Sequence, residues 1–176
     1  MKEREVWDAV DANGKCLGFD LYRDEDDRIP AGIYHAVAEI YSVTKDGLLL
    51  NTLRDPKKPG GLKWEVTGGS VVKGETPLQG AVRELKEETG LEAAPEDLIL
   101  LATLTQEKTP NSLYYEFAFL LPNADVSIQL QPGETVDHRF VPLDDFLEDA
   151  RGGKVFMGDR VFEAIRLLKR YLEEHK

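Results

Sequence analysis

Four glutamates and an arginine stand at set intervals between Gly69 and Leu91, and no other stretch limits the possible fold and chemistry so tightly. It begins Gly69-Ser-Val-Val-Lys-Gly-Glu75 and ends Arg83-Glu84-Leu85-Lys86-Glu87-Glu88-Thr89-Gly90-Leu91. Its punctuation predicts a helix. Thr76 with Gln79 has the spacing of a capping box, and Pro77 falls at the first helical position, where a missing N–H costs nothing. Gly90 stands where a left-handed cap ends a helix. Leu78, Ala81, Val82, Leu85 and Thr89 recur at helical spacing and predict the buried stripe.

Glu84, Glu87 and Glu88 share a different face, and there they work against the helix. Like charges at i,i+3 and i,i+4 cost about 0.2–0.5 kcal/mol per pair. Glu87 and Glu88 also lie near the negative end of the helix dipole. Arg83 offsets part of this. Gly80, on the same face, leaves room for an approaching group, although alanine would favour the helix by roughly 1 kcal/mol. A hard cation with oxygen ligands would turn these crowded carboxylates into a site. The plain alternative is a solvated acidic face on an acidic chain.

The loop, cap, arginine and glutamates together match G-x5-E-x7-R-E-U-x-E-E-x-G-U, where U is bulky and aliphatic. Gly69, Glu75, Arg83, Glu84, Leu85, Glu87, Glu88, Gly90 and Leu91 meet its fixed positions. In this respect the chain resembles the Nudix hydrolase superfamily. The resemblance implies an α/β fold, an α/β/α sandwich with a mixed central sheet. It also implies metal-dependent hydrolysis of a diphosphate linkage in a nucleoside diphosphate-linked or related small molecule, with Mg²⁺ or Mn²⁺. By position, Glu84, Glu87, Glu88 and the carbonyl of Gly69 would be metal ligands. Arg83 would lock a glutamate, and Glu87 is the expected general base, so Glu84, Glu87 and Arg83 form the expected catalytic group. Glu75 would ligate, orient or simply pair with Arg83. The resemblance further implies a distal carboxylate ahead of a strand ending in an aromatic residue. Glu134, upstream of Phe140, leads that search over Glu107 and Glu116, each with the alternative of a solvated acid.

Composition narrows the partners. A net charge of −11 over 176 residues argues against binding nucleic acid or an anionic membrane. A single cysteine, Cys16, excludes an intrachain disulfide and fits a reducing compartment. With no apolar run of membrane-spanning length, the expectation is a cytoplasmic enzyme.

Along the chain, residues 1–30 read as an N-terminal hairpin extension, with strands Glu5–Val10 and Cys16–Tyr22 around Asn13-Gly14 and then a charged loop. Residues 31–176 read as the main domain. Its strands are expected at 33–43, 48–53, 63–67, 98–106, 113–121 and 135–141, with helices at 142–150 and 159–174. The loop Arg54–Lys63 gathers positive charge, so Arg54 and Lys63 are candidates for substrate phosphates; Lys57 and Lys58 read as solvated. Trp64 is either a platform for a base or a core residue.

A second resemblance is to isopentenyl diphosphate isomerase, carried by the hairpin, by Tyr34-His35-Ala36 and by Leu49-Leu50-Asn-Thr-Leu-Arg54. Where that enzyme resembles Trp-Thr-Asn-Thr-Cys-Cys-Ser-His, this chain reads Trp64-Glu-Val-Thr-Gly-Gly-Ser-Val71. The acid/base cysteine has become glycine and a metal histidine valine, which favours hydrolysis. His35 keeps either a ligand role or a hydrogen-bonded place in a strand. A non-catalytic nucleotide-binding module is the remaining alternative, disfavoured by the complete set of glutamates. Homodimerisation through the hairpin is expected by family analogy alone.

Overall fold

The computed structural model describes residues 4–108 and 110–175. The N-terminal strands are β1 (Val6–Val10) and β2 (Cys16–Tyr22), an antiparallel pair closed by a loop in which Asp11 Oδ1 accepts from the N–H groups of Asn13 and Lys15. The charged stretch that follows is wound into 3-10 turns, Arg23–Arg28, rather than an open loop. Its acidic first turn faces the favourable end of the local dipole.

The main sheet is built from β3 (His35–Thr44), β4 (Leu48–Arg54), β5 (Trp64–Glu65), β6 (Thr67–Ser70), β7 (Leu98–Gln106), β8 (Ser112–Leu121) and β9 (Thr135–Pro142). Its central path runs β5-β4-β3-β8-β7, with β9 added to β4 and β6 to β3. Only β3 and β8 run parallel, in register from His35 opposite Ser112 to Thr44 opposite Leu121. Helix α1 (Pro77–Thr89) covers one face, while α2 (Leu143–Arg151) and α3 (Arg160–Glu174) cover the other. The fold is therefore the expected α/β/α sandwich with a mixed sheet. No helix among the described residues is long and apolar enough to cross a membrane.

Alternation along β3 divides the core. Ala36, Ala38 and Ile40 pack with Ala81 and Leu85 of α1, whereas Tyr41 and Val43 pack with Phe146, Ile165 and Leu168 beneath α2 and α3. Covering on both sides explains why this strand is almost continuously buried.

The segment expected as one strand at 63–67 is two. Trp64 and Glu65 pair with β4, then the chain shifts at Val66 so that Thr67–Ser70 pair with β3. Thus β3 meets β4 at Val43 and β6 from Val37 to Ile40. Gly68 permits this close pairing, because a Cβ there would lie 2.5 Å from the Ala38 carbonyl oxygen. The hairpin docks on the main unit through the Val10–Tyr34 bridge and through Trp7, stacked 4.1 Å from the ring of His35.

Candidate active site

Helix α1 starts and stops where its local signals say. Thr76 Oγ1 accepts from the Gln79 N–H, Gln79 Oε1 accepts from the Thr76 N–H, and Gly90 closes the helix at φ 71°. Burying Ala81, Leu85 and Thr89 against the sheet aims Glu84 and Glu87 toward the end of β6. Gly69 of β6 has no side chain where one would collide: a Cβ would come 2.5 Å from the Glu84 carboxylate. Gly80 does not leave space for a ligand, contrary to expectation. It is buried against the loop, with Val71 Cγ2 3.2 Å from where a Cβ would sit.

Arg83 organises the acids. Its Nε and Nη2 donate to Glu75 at 2.8 and 3.0 Å, and Nη2 also donates to the Ser70 carbonyl at 3.0 Å. Its Nη1 donates to Glu84 at 2.5 Å and to Glu87 at 3.3 Å. Glu75 pairs with Arg83, which holds its carboxyl below the ordinary range, and it is not among the residues lining the cleft.

Glu88 is buried and accepts from the Gly68 N–H at 3.2 Å. Burial, with Glu84 and Glu65 nearby, raises its carboxyl well above the ordinary value. Burial also raises Glu84, although Arg83 pulls the other way. On the neighbouring strand, burial pushes Glu65 up to about 7 against the pull of Arg54. Glu75, Glu84 and Glu87 share the one guanidinium of Arg83, and Glu88 has no ion-pair partner among the described residues.

Glu84 and Glu88, but not Glu65, line a cleft of about 510 Å³. Its lining includes Glu84, Glu87, Glu88 and Gly69 together with Arg54, Lys58, Glu134 and Arg23. Glu134 is among the residues lining the cleft, paired there with Lys58. Arg54 is anchored by Glu65 at 2.5 Å and by the Pro59 carbonyl at 3.0 Å, with its guanidinium 3.9 Å from the ring centre of Phe156.

Other candidates are placed elsewhere. Lys63 lines a neighbouring cavity rather than the cleft. Trp64 lines neither: it packs with the core under α2 and α3, its ring centre 4.1 Å below the Arg139 guanidinium. A parallel bridge from Trp64 to Val155 fixes it there. Of the weaker distal acids, Glu107 accepts from the Tyr34 hydroxyl at 2.9 Å, and Glu116 is buried beside Arg160. His35 takes the hydrogen-bonded role, with Nδ1 3.1 Å from the Asn111 carbonyl, and burial pushes its pKa down to about 4.

Sequence reasoning missed Arg23 and Glu5, joined by a 2.7 Å ion pair at the cleft rim, and it read Lys58 as solvated. A lone arginine in a charged segment has no spacing signal. Only the docking of the hairpin brings it near.

An oxygen-only donor set suits a hard divalent cation, so the residues present fit such an ion. Among the described residues no three acids converge at ligand geometry, since Arg83 lies between Glu75, Glu84 and Glu87 as their counter-charge.

A family model described as NUDIX domain matches residues 34–161. The chain is 29% identical over 161 residues to an uncharacterized Nudix hydrolase of Listeria monocytogenes, covering 87% of this chain and 88% of that one. Coverage is not uniform: a Bifidobacterium longum nucleoside triphosphate pyrophosphatase/Nudix hydrolase fusion protein is 32% identical over 82 residues, 47% of this chain but 17% of the fusion. Among solved structures, a Deinococcus radiodurans protein superposes with TM-score 0.73 at 22% identity, over 93% of this chain and 99% of that one. The Nudix domain of Shewanella oneidensis NrtR, complexed with ADP ribose, gives TM-score 0.62 at 18% identity, over 79% and 88%.

Proposed function

This chain belongs to the Nudix family and is a Nudix hydrolase, and from that premise we propose that it cleaves a diphosphate linkage in a small nucleoside diphosphate-linked or related molecule, with Mg²⁺ or Mn²⁺ as cofactor. One observation carries the reading. A single cleft is lined both by Glu84, Glu87, Glu88 and Gly69 and by Arg54, Lys58 and Arg23.

Glu84, Glu87 and Glu88, with the Gly69 carbonyl, would hold the cation. When bound, it would neutralise diphosphate oxygens and acidify a water. Arg83 keeps Glu84 and Glu87 oriented through Nη1. Glu87, which lines the cleft with its side chain 48% exposed, would take the proton of the attacking water. Arg54, Lys58 and Arg23 would receive the phosphate charge, with Glu134 as a further acid beside Lys58. The same reading includes work in the cytoplasm and pairing of two copies through the hairpin, where Leu17 and Phe19 are exposed.

The test is a panel of nucleotide sugars, dinucleotides and nucleoside di- and triphosphates with Mg²⁺, scored for released phosphate or monophosphate. Glu87→Gln is expected to lower turnover on any cleaved compound at least about 100-fold without changing the melting temperature. Near-normal turnover would remove Glu87 from the role of base. No cleavage across the panel would overturn the reading.

A further inference from the structure

Two acids face each other on the N-terminal hairpin, Asp8 of β1 standing in register with Asp20 of β2. Like charges directly opposite across a strand pair destabilise it, so the hairpin on its own does not account for them. Both reach the loop that joins β6 to α1. Asp8 Oδ2 accepts from the Gly74 N–H at 2.8 Å, and Asp20 pairs with the Lys73 ammonium at 2.7 Å. The Val6 carbonyl also accepts from the Lys73 N–H at 2.8 Å. The β1–β2 register shifts between Asp8 and Val10, an irregularity of the sort that re-aims a side chain. Trp7, between the two acceptors, is buried and stacked on His35, so the strand holding the loop is itself anchored to β3.

The amides of the loop show what these ties supply. Val71 donates to the Ala36 carbonyl, Val72 to Glu75 Oε2 at 3.2 Å, and Glu75 to the Val72 carbonyl at 3.0 Å. The other two, Lys73 and Gly74, find their acceptors on the hairpin. The chain turns at Gly74 with φ 84° and so places Glu75. The Glu75 carboxylate receives Nε and Nη2 of Arg83, whose Nη1 reaches Glu84 and Glu87. An unbroken run of hydrogen bonds thus leads from β1 to the acids of α1.

We infer that the hairpin belongs to the framework of the active site, with Asp8 as a positioning residue that fixes the 71–75 loop and, through Glu75 and Arg83, the carboxylates that take the cation. The inference rests on the hydrolase reading for what those carboxylates hold. Asp8 does not line the cleft, so it acts only through the loop. Groups that orient metal ligands from outside are worth 10–100-fold in metal affinity or activity, and Asp8, further out, belongs at about the lower figure.

Three measurements on the full chain separate this role from a tie that only adds stability: amide hydrogen exchange, calorimetric titration with Mg²⁺, and turnover of whichever panel compound is cleaved. Asp8→Ala should speed exchange across 72–75 and weaken Mg²⁺ binding about 10-fold. Turnover should fall by a similar factor, in kcat rather than through KM. Asp8→Asn keeps an acceptor for the Gly74 N–H and should recover most of each loss. The inference is overturned, with the hydrolase reading intact, if Asp8→Ala lowers the melting temperature or loosens the loop while Mg²⁺ affinity and kcat stay at wild-type values. It is equally overturned if Asp8→Asn is as impaired as Asp8→Ala. A wild type that neither takes up Mg²⁺ nor cleaves any compound sinks the hydrolase reading, and this inference with it.

Discussion

Glu88 and Glu116 are both buried glutamates on the two sides of one sheet, and they are accommodated differently. Glu88 belongs to a run of acids on a single helix, and the arginine serving that run, Arg83, comes from the same helix and stays partly exposed beside a cleft. Glu116 lies opposite Glu39 across a parallel strand pair, and Arg160 reaches both from the start of α3. Burial and the neighbouring Glu39 raise Glu116 well above its ordinary value, while Arg160 pulls the other way. The box acids instead face a cleft where an outside cation can enter. The inner pair is met by a guanidinium from another element, whereas three of the box acids share one guanidinium from their own helix beside an open cleft.

Breaking the inner cluster should give the largest effect. Arg160→Met leaves Glu39 and Glu116 buried without their guanidinium and is expected to cost about 3–5 kcal/mol in urea unfolding. A small loss would mean that the guanidinium is not what holds the pair.

His35 sharpens the contrast, being buried with no counter-charge in contact. Its folded pKa of about 4 lies below the ordinary 6.5, so the stability it contributes is present above pH 6.5 and lost as pH falls through 4. The loss should reach about 3 kcal/mol, and His35→Phe should remove that part of the slope. Identical slopes for variant and wild type would assign the acid sensitivity to other groups.

On the cleft side, adding Mg²⁺ at a hundredfold its dissociation constant should stabilise the wild type by about 2.7 kcal/mol. Glu88→Gln should lose most of that gain, and Arg160 variants that fold should keep it. A melting temperature indifferent to Mg²⁺ would erase the distinction between the two sides. The smallest effect is expected at the helix entrance, where Thr76→Ala removes a cap worth about 1 kcal/mol and should leave cation uptake intact.

The parts that could be read in advance were those set by neighbours in the chain. Thr76, Pro77 and Gly90 delimit α1 through hydrogen bonds and backbone angles within a few residues, so the helix follows from the local sequence. The strands of the hairpin and of the sheet followed from turn residues and alternation in the same way. The split at Val66 did not, because the change of partner from β4 to β3 has no local signature. Trp64 read equally as a base platform or a core residue, and the Val155 bridge and its packing under α2 and α3 put it with the core.

The sequence alone therefore determined the chemistry of the box helix: which acids share a face, where the helix ends, and which arginine accompanies them. Only the tertiary structure decided what stands opposite. Arg23, Arg54, Lys58 and Glu134 reach the cleft through docking of distant segments, and Glu39, Glu116 and Arg160 meet only when β3, β8 and α3 pack. Helical spacing repeats every few residues and can be read directly, whereas contacts between distant segments depend on how every intervening element packs.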